Sequence, residues 1–158
     1  MKKMFILCLL FLNFAPTIAA MEWTEFSFIL KPSPLGGIGV FATHDIAKGT
    51  QVFKNSFELR NLKTKDIPSE LIKYCIFLND EECLCPKRFD RMEIGWYLNH
   101  SSDPNIANKF VITHASEFGK ERLVYATKDI KAGDEILIDY NALGEPEHLK
   151  EDYYKPNK

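Results

Sequence analysis

The stretch Trp96–Asn105, Trp-Tyr-Leu-Asn-His-Ser-Ser-Asp-Pro-Asn, changes from apolar to polar within ten residues. Its three apolar residues favour a packed, extended segment. Its last three predict a sharp turn, because Pro104 fixes its own φ and moves the preceding residue away from helix. Between them lie Asn99 and His100, whose side chains have a rich hydrogen-bonding capacity. This arrangement suits the recognition of a small polar ligand, but taken alone it is more typical of a turn in which Asn and Ser satisfy backbone groups.

The composition is typical of one globular domain. Of the 158 residues, 46% are hydrophobic, 13% aromatic and 27% charged, and a chain of this length can bury a real core. Twelve Phe against eight Gly and eight Pro favour strands with frequent turns over a helical bundle. Residues 21–158 carry 18 basic and 22 acidic side chains, a formal charge of −4. This mild acidity argues against nucleic acid as a direct ligand and is compatible with a basic protein partner.

Residues 1–20 have the layout of a secretory signal peptide. Two lysines precede an apolar run, and small residues follow as far as Ala20. The run is too short for a membrane span, so we expect cleavage and secretion, with delivery into a host cell as one destination. The alternative is translation from Met21, which would give a cytoplasmic protein. The sequence therefore divides into a signal peptide (1–20), one domain (21–145) and a polar C-terminal tail (146–158).

Three cysteines follow the first twenty residues: Cys75, Cys83 and Cys85. An odd number is a poor basis for a disulfide framework. Cys83 and Cys85 could offer two metal ligands, but no further Cys or His lies close by in the sequence to complete a tetrahedral site. We therefore expect ordinary half-buried thiols and no metal.

Two segments of the chain resemble each other. Val40–Phe53 and Val124–Leu137 share Val, Ala, Thr, Asp, Ile and Gly at equivalent positions. Each predicts a strand, a turn at Gly49 or Gly133, and a second strand. Two copies are too few for a solenoid, so we expect two strand–turn–strand units packed in one β-rich domain.

Other elements are predicted from local patterns of apolar and turn-forming residues. They are an edge strand at Glu22–Lys31, an alternating strand at Phe53–Asn61, a helix start near Pro68-Ser69, a charged surface excursion at Glu81–Glu93, and strands at Phe110–Thr113 and Arg122–Tyr125 around a loop.

Three motifs could carry chemistry. Gly37-Ile38-Gly39 could let backbone approach a ligand closely, although such a pair of glycines is more often a simple turn. The others are Asn99–Asn105 and Gly133–Tyr140, the latter a strand that ends in Asp-Tyr. In this order and spacing, the motifs resemble those of the SET-domain protein-lysine methyltransferases, over Phe26 to Leu143. The family's Asn-His-Ser-x-x-Pro-Asn and Gly-(Asp/Glu)-Glu-Leu-x-x-Asp-Tyr are matched by the second and third motif.

The resemblance implies a mainly β fold (α+β with little helix) of small curved sheets with a C-terminal pseudoknot. In that fold the segment with Asn-His passes under a loop formed by the segment with the tyrosine, which would bring Asn99, His100 and Tyr140 together. It also implies S-adenosylmethionine as the methyl donor, without a metal. Backbone at Gly37–Gly39, together with Asn99, His100 and Tyr140, would bind this cofactor, and Tyr140 would be the catalytic residue.

The implied partner is a lysine-bearing protein or peptide, with histone tails as a candidate, and the protein is expected to be a monomer without a membrane span. Ser102 and Ile106 stand where many family members have a cysteine that helps to bind zinc, so we expect no zinc after the domain. A tail tyrosine, Tyr153 or Tyr154, would instead close over cofactor or substrate.

Ile138 stands where some family members have a Tyr or Phe that governs how many methyl groups are added. It has no hydroxyl to retain a water, which favours di- or trimethylation. Two other classes remain open: a catalytically inactive SET-like module that binds a peptide or protein, and a secreted structural β-protein that binds no cofactor.

Overall fold

The computed structural model describes residues 22–53, 59–112 and 120–155, which form strands and short 3-10 helices, with no α-helix in these three ranges. The strands are β1 (Phe28–Pro32), β2 (Ile38–Ala42), β3 (Gln51–Val52), β4 (Leu59–Lys63), β5 (Ile76–Phe77), β6 (Glu82–Pro86), β7 (Asn99–His100), β8 (Ile106–Ile112), β9 (Lys120–Ala126) and β10 (Leu137–Ile138). The 3-10 helices are Thr64–Asp66, Ser69–Tyr74, Ile94–Tyr97, Tyr140–Leu143, Glu147–Leu149 and Asp152–Tyr154. The strands form four small sheets, β1-β2, β10-β7, β3-β9-β8 and β4-β6-β5. The mainly β prediction is confirmed.

The two similar segments, residues 40–53 and 124–137, pack against each other as near-symmetrical paired segments. The Ile46 N–H donates to the Ile130 carbonyl at 2.8 Å, and the Ile130 N–H donates back to the Ile46 carbonyl at 2.9 Å. Each turn is held by the aspartate of the other copy. Asp129 Oδ1 accepts from the Lys48 N–H at 2.9 Å, and Asp45 plays the equivalent part for the second turn. The prediction of two packed strand–turn–strand units is confirmed.

The paired segments supply most of the main core. Its buried residues are Val40, Ala42, Ile46, Val52, Phe53, Leu98, Ile106, Val124, Ala126, Ile130, Ile136 and Ile138. Leu98 and Ile106 flank the Asn-His stretch, so both ends of that stretch are anchored in the same core as the repeat. β-branched residues dominate this set, which suits strands that pack on a pleated surface.

A separate small core lies on the sheet β4-β6-β5. Its buried residues are Ile67, Phe77, Cys83 and Cys85. The prediction of a charged surface excursion at Glu81–Glu93 is wrong for its first half, because β6 is the central strand of this sheet. The charged residues on both sides hide a buried run, Cys83–Pro86, in the sequence pattern.

The extended segment predicted at Trp96–Leu98 is wrong for Trp96 and Tyr97, and only Leu98 has an extended backbone. Trp96 lies in a 3-10 helix, Ile94–Tyr97, and its N–H donates to the Glu93 carbonyl at 3.0 Å. The neighbouring Gly95 is buried, so close packing determines this conformation more than the β propensity of the aromatic residues does.

Other local predictions hold with shifted boundaries. A 3-10 helix begins at Ser69, directly after Pro68, and β8 pairs with β9 as an antiparallel hairpin. β1 begins only at Phe28, because a turn closed by the Ser27 N–H and the Thr24 carbonyl (3.0 Å) precedes it. β4 begins at Leu59, and the earlier part of the strand predicted at 53–61 includes residues outside the described ranges.

The predicted signal peptide and the loop at 114–119 also lie outside the described residues. No helix in the described ranges is long and apolar enough to cross a membrane.

Candidate active site

The parallel pairing of β7 with β10 joins the second and third motif. Its register places Leu137 beside Asn99 and Ile138 beside His100. Tyr140 follows immediately, and its N–H donates to His100 Nδ1 at 3.2 Å. An Nδ1 that accepts a hydrogen bond leaves Nε2 to carry the proton of the neutral ring. Asn99, His100 and Tyr140 therefore lie together, whereas the threading of one segment under the other stays a prediction.

The side chain of Asn105, the last residue of the predicted turn, stabilises the pairing of β7 with β10. Its Nδ2 donates to the Glu135 carbonyl at 2.7 Å, and its Oδ1 accepts from the Leu137 N–H at 2.8 Å. One buried amide thus satisfies a donor and an acceptor of the strand that leads to Tyr140. From the sequence alone, Asn105 was expected only as part of the turn and of its motif.

The phenol of Tyr140 is held by the backbone directly before the Asn-His pair. Its hydroxyl donates to the Leu98 carbonyl at 2.6 Å. Burial raises the pKa of Tyr140, and the nearby Tyr153 and Glu145 raise it further. The phenol is therefore protonated at neutral pH and can orient a ligand by hydrogen bonding, but it cannot serve as a strong base.

Tyr154, from the C-terminal tail, completes an aromatic cluster with Tyr140 and His100. Its ring centroid lies 5.3 Å from that of Tyr140, edge-on, and 5.7 Å from that of His100. The Tyr154 carbonyl accepts from Asn141 Nδ2 at 2.8 Å, and its hydroxyl donates to the Glu145 carboxylate. With 6% of its surface exposed, Tyr154 is packed as firmly as a core residue, so the tail is part of the site.

A cavity of about 610 Å³ opens beside Tyr140. Leu98, Ile138 and Tyr140 line it from the main core, and β5 and residues of the 3-10 helix Ser69–Tyr74 line it as well. Burial raises the pKa of Glu145, whose carboxylate lines the cavity. The lining residues of the cavity include Glu70, Lys73, Cys75, Ile76, Phe77, Trp96, Leu98, Ile138, Tyr140, Glu145, Glu151, Tyr153 and Tyr154.

The predicted site residues fall into two groups, one that lines the cavity and one that does not. Tyr140 lines the cavity, whereas Gly37–Gly39, Asn99 and His100 do not. Asn99 instead faces the glycine segment, where its Nδ2 lies 3.4 Å from the Ile38 carbonyl. The predicted site residues therefore lie close together in the structure, but they do not all line the same cavity.

Glu135 organises the glycine segment, a role that its place in the third motif did not predict. Its Oε1 accepts from Asn99 Nδ2 at 2.8 Å, and its Oε2 accepts from Ser33 Oγ at 2.9 Å. A Cβ built on Gly39 would lie 2.1 Å from Glu135 Oε1 and 3.1 Å from Asn99 Nδ2. A side chain at this position would push the Glu135 carboxylate away from Asn99, which explains the second glycine of the motif.

Comparison with known proteins agrees with this geometry. A family model described as "SET domain" matches residues 37–141, more than half of the chain. Among solved structures, a Plasmodium falciparum protein described as a "putative histone methyltransferase" is 27% identical, with a TM-score of 0.54. The match covers 74% of this chain and 95% of that one. No curated protein matches the sequence significantly. The chain belongs to the SET-domain family of protein-lysine methyltransferases.

Proposed function

We propose that this protein transfers methyl groups from S-adenosylmethionine to a lysine side chain of a protein substrate. The observation that carries the proposal is the position of the Tyr140 hydroxyl. It is fixed by the Leu98 carbonyl at 2.6 Å, beside the Asn-His pair and at the edge of an aromatic cavity with acidic groups. Family membership supports methyl transfer to lysine in general, and the cofactor and substrate are our inference.

The reaction requires a neutral lysine amine, and the cavity favours one. A free lysine has a pKa of about 10.4, so its deprotonation at pH 7 costs roughly 4–5 kcal/mol. Tyr153 and Tyr154 line the cavity beside Tyr140, and their rings would strip water from an inserted side chain. Desolvation disfavours the ammonium and lowers this cost. Alignment of amine and donor then contributes about 7–11 kcal/mol in well-oriented reactions.

Glu145 would attract the lysine before it loses its proton. Its carboxylate accepts a hydrogen bond from the Tyr154 hydroxyl, which fixes one oxygen at the cavity wall. Glu70 and Glu151 line the same cavity with one lysine, Lys73, so three acidic side chains against one basic side chain meet an incoming ammonium. Opposite charge at short range favours entry of a basic side chain over a neutral one. The same charge stabilises the ammonium, so desolvation by the tyrosine rings has to outweigh it before the lysine becomes neutral.

The residues near Asn99 fit a ligand that carries N–H groups, as S-adenosylmethionine does. Backbone at Gly37–Gly39 is open to close approach, since Gly37 is exposed and has a φ of +64°. The buried Asn141 Oδ1 has no hydrogen-bond partner among the described residues and could accept from such a group. Asn99 and His100 would hold the remaining polar groups of the cofactor. The cofactor, when bound, supplies a methyl group on a positively charged sulfur.

The substrate we propose is a basic segment of a protein, with histone tails as the first to test. The acidic cavity and the formal charge of −4 over residues 21–158 favour such a segment. The Plasmodium falciparum match points the same way, since its description names histones. If residues 1–20 direct export, the substrate would belong to a host cell. Buried Ile138 lines the cavity without a hydroxyl, so we propose that more than one methyl group is added.

The decisive experiment measures transfer of labelled methyl from S-adenosylmethionine to histones and other basic proteins. We expect Tyr140→Phe to lower the rate about 10²–10³-fold, the usual loss when one oriented hydrogen-bonding group is removed from an active site. Tyr125→Phe is the matched control, because this half-buried tyrosine of β9 is not a lining residue of the cavity. Cofactor binding without transfer to any basic protein would favour the inactive, peptide-binding module instead. Equal rates for wild type and Tyr140→Phe would remove Tyr140 from catalysis.

A further inference from the structure

Three thiols meet on one face of the sheet β4-β6-β5. Cys83 and Cys85 are two residues apart on β6, so their side chains point to the same face. The register pairs Ile76 with Leu84, and this places Cys75 opposite Cys85 on the neighbouring strand. The Sγ atoms of Cys75 and Cys85 lie 2.8 Å apart, and those of Cys83 and Cys85 lie 3.6 Å apart. All three Sγ atoms fall within 4.8 Å of one another.

We propose that this cysteine cluster, Cys75, Cys83 and Cys85, binds one zinc ion through three thiolates, with a water molecule as the fourth ligand. Zinc–sulfur bonds of about 2.3 Å in a tetrahedron separate the sulfur atoms by roughly 3.8 Å. The pair Cys83–Cys85, at 3.6 Å, already has this spacing. Cys75 would move outward by about 1 Å from Cys85 to reach it, and it is the half-buried member of the three.

The identity of the metal follows from the donors and their charge. Sulfur ligands select zinc or monovalent copper over magnesium and calcium, which require oxygen. No imidazole or carboxylate belongs to the cluster within the described ranges. Three thiolates with a divalent ion leave one negative charge, whereas copper would leave two. Arg60 lies directly opposite Cys85 in the register of β4 and β6 and supplies one positive charge, which matches zinc.

The fourth ligand and the consequence of binding both follow from the position of Cys75. Cys75 lines the cavity beside Tyr140, so solvent can reach the metal from that side. The other two cysteines are buried in the small core with Ile67 and Phe77, and the Cys83 thiol also donates to the Leu62 carbonyl at 3.7 Å. The ion would tie β5 to β6 and so hold the part of the cavity wall that β5 forms. Because binding needs thiolates, each zinc ion displaces three protons from three thiols.

The test is metal binding by the purified, reduced full-length chain, which requires no methyl transfer. We expect one equivalent of Zn²⁺, and Co²⁺ as a spectroscopic probe should give sulfur-to-metal charge-transfer absorption with the visible bands of a tetrahedral site. Cys75→Ser, Cys83→Ser and Cys85→Ser should each weaken zinc binding at least 100-fold, above the 10–100-fold typical of outer-sphere changes. His148→Ala is the matched control, because it removes an exposed potential zinc ligand and leaves the three thiols intact.

Two outcomes would overturn the proposal. If the reduced protein binds no Zn²⁺ or Co²⁺ while its circular dichroism shows a folded chain, the cluster holds ordinary thiols. If protein purified without reductant contains a Cys75–Cys85 disulfide and the reduced form still takes up no metal, the pair is a redox site instead. Because a serine variant can fail to fold, its far-ultraviolet spectrum and thermal transition without metal are compared with those of wild type.

Discussion

The two apolar cores of this protein are built in different ways. In the main core the paired segments support each other, because Ile46 and Ile130 exchange backbone hydrogen bonds and each turn is held by the aspartate of the other copy. The small core has no such partner. It lies on one three-stranded sheet, and two of its four buried residues are Cys83 and Cys85.

The difference bears on function because the cavity lies at the seam between the cores. Leu98 and Ile138 line it from the main core, and Phe77 lines it from the small one. Tyr140, the proposed catalytic residue, packs against the main core and therefore lies on the self-supporting side. The part of the wall that Phe77 lines is on the side that we expect to need a metal ion.

The comparison is tested most strongly by removing one large apolar side chain from each core. Ile46→Ala should lower the free energy of unfolding by about 4–5 kcal/mol. The paired segments hold each other in place, so they cannot easily relax into the space that the missing side chain leaves. Ile67→Ala should cost about 2–3 kcal/mol, since the small core can relax on its open side. Ile46 is 1% exposed and Ile67 is 8% exposed, so both substitutions remove buried atoms.

Urea unfolding of the two variants measures this difference. The dependence of the unfolding free energy on urea should be unchanged, so that the shift in midpoint reports stability alone. Equal losses in the two variants would show that the cores are equally rigid, and the contrast drawn between them would fail.

The main core could be predicted from the sequence because its signals are local and repeated. Val40–Phe53 and Val124–Leu137 carry the same residues at the same spacing, so each copy supports the interpretation of the other. The small core could not, because β6 is flanked by charged residues that resemble a surface loop. Cys75 is ten residues from Cys85 in sequence and meets it only through the register of β5 with β6.

The candidate active site could likewise be predicted only in part from the sequence. Asn99, His100 and Tyr140 belong to short motifs, and their proximity followed from a family resemblance. Glu135 and Asn105 also lie in those motifs, but their roles depend on which backbone group or side chain faces them after folding. A pattern of residues along the chain does not contain that information. Glu145 belongs to no motif, so its contact with the cavity emerged only from the structure. A tail tyrosine was expected at the site, and the structure places both Tyr153 and Tyr154 in the cavity lining.

A second, smaller effect tests whether the main core positions the cofactor site through Glu135. Glu135→Ala removes the acceptor of Asn99 Nδ2 and should weaken S-adenosylmethionine binding about 10-fold, the value of one charge-assisted hydrogen bond of roughly 1.5 kcal/mol. Ser33→Ala is the matched control, because it removes the other contact of Glu135 and leaves Asn99 held. Isothermal titration calorimetry measures both affinities. A lower melting temperature with unchanged affinity would make Glu135 a purely structural residue.

The smallest effect should come from the seam itself, at Glu145. Burial raises the pKa of this carboxyl above its ordinary value of 4.5, so the native state binds the proton more tightly than the unfolded state does. As the pH falls through the raised pKa towards 4.5, wild type should therefore gain stability relative to Glu145→Gln, and above the raised pKa this gain should be absent. We expect less than about 1 kcal/mol, because solvent screens a carboxylate that is only half-buried.

The measurement is the difference in melting temperature between wild type and Glu145→Gln from pH 8 to pH 4, in which the titration of other groups cancels. The same comparison in a Tyr154→Phe background sharpens the test, because the Tyr154 hydroxyl donates to Glu145 and holds the pKa of Glu145 down. Without that donor the gain should begin at a higher pH. A difference that stays constant over the whole range would mean that Glu145 is as solvated as a surface carboxylate. The seam between the two cores would then be open to water, and desolvation could not help to neutralise a lysine there.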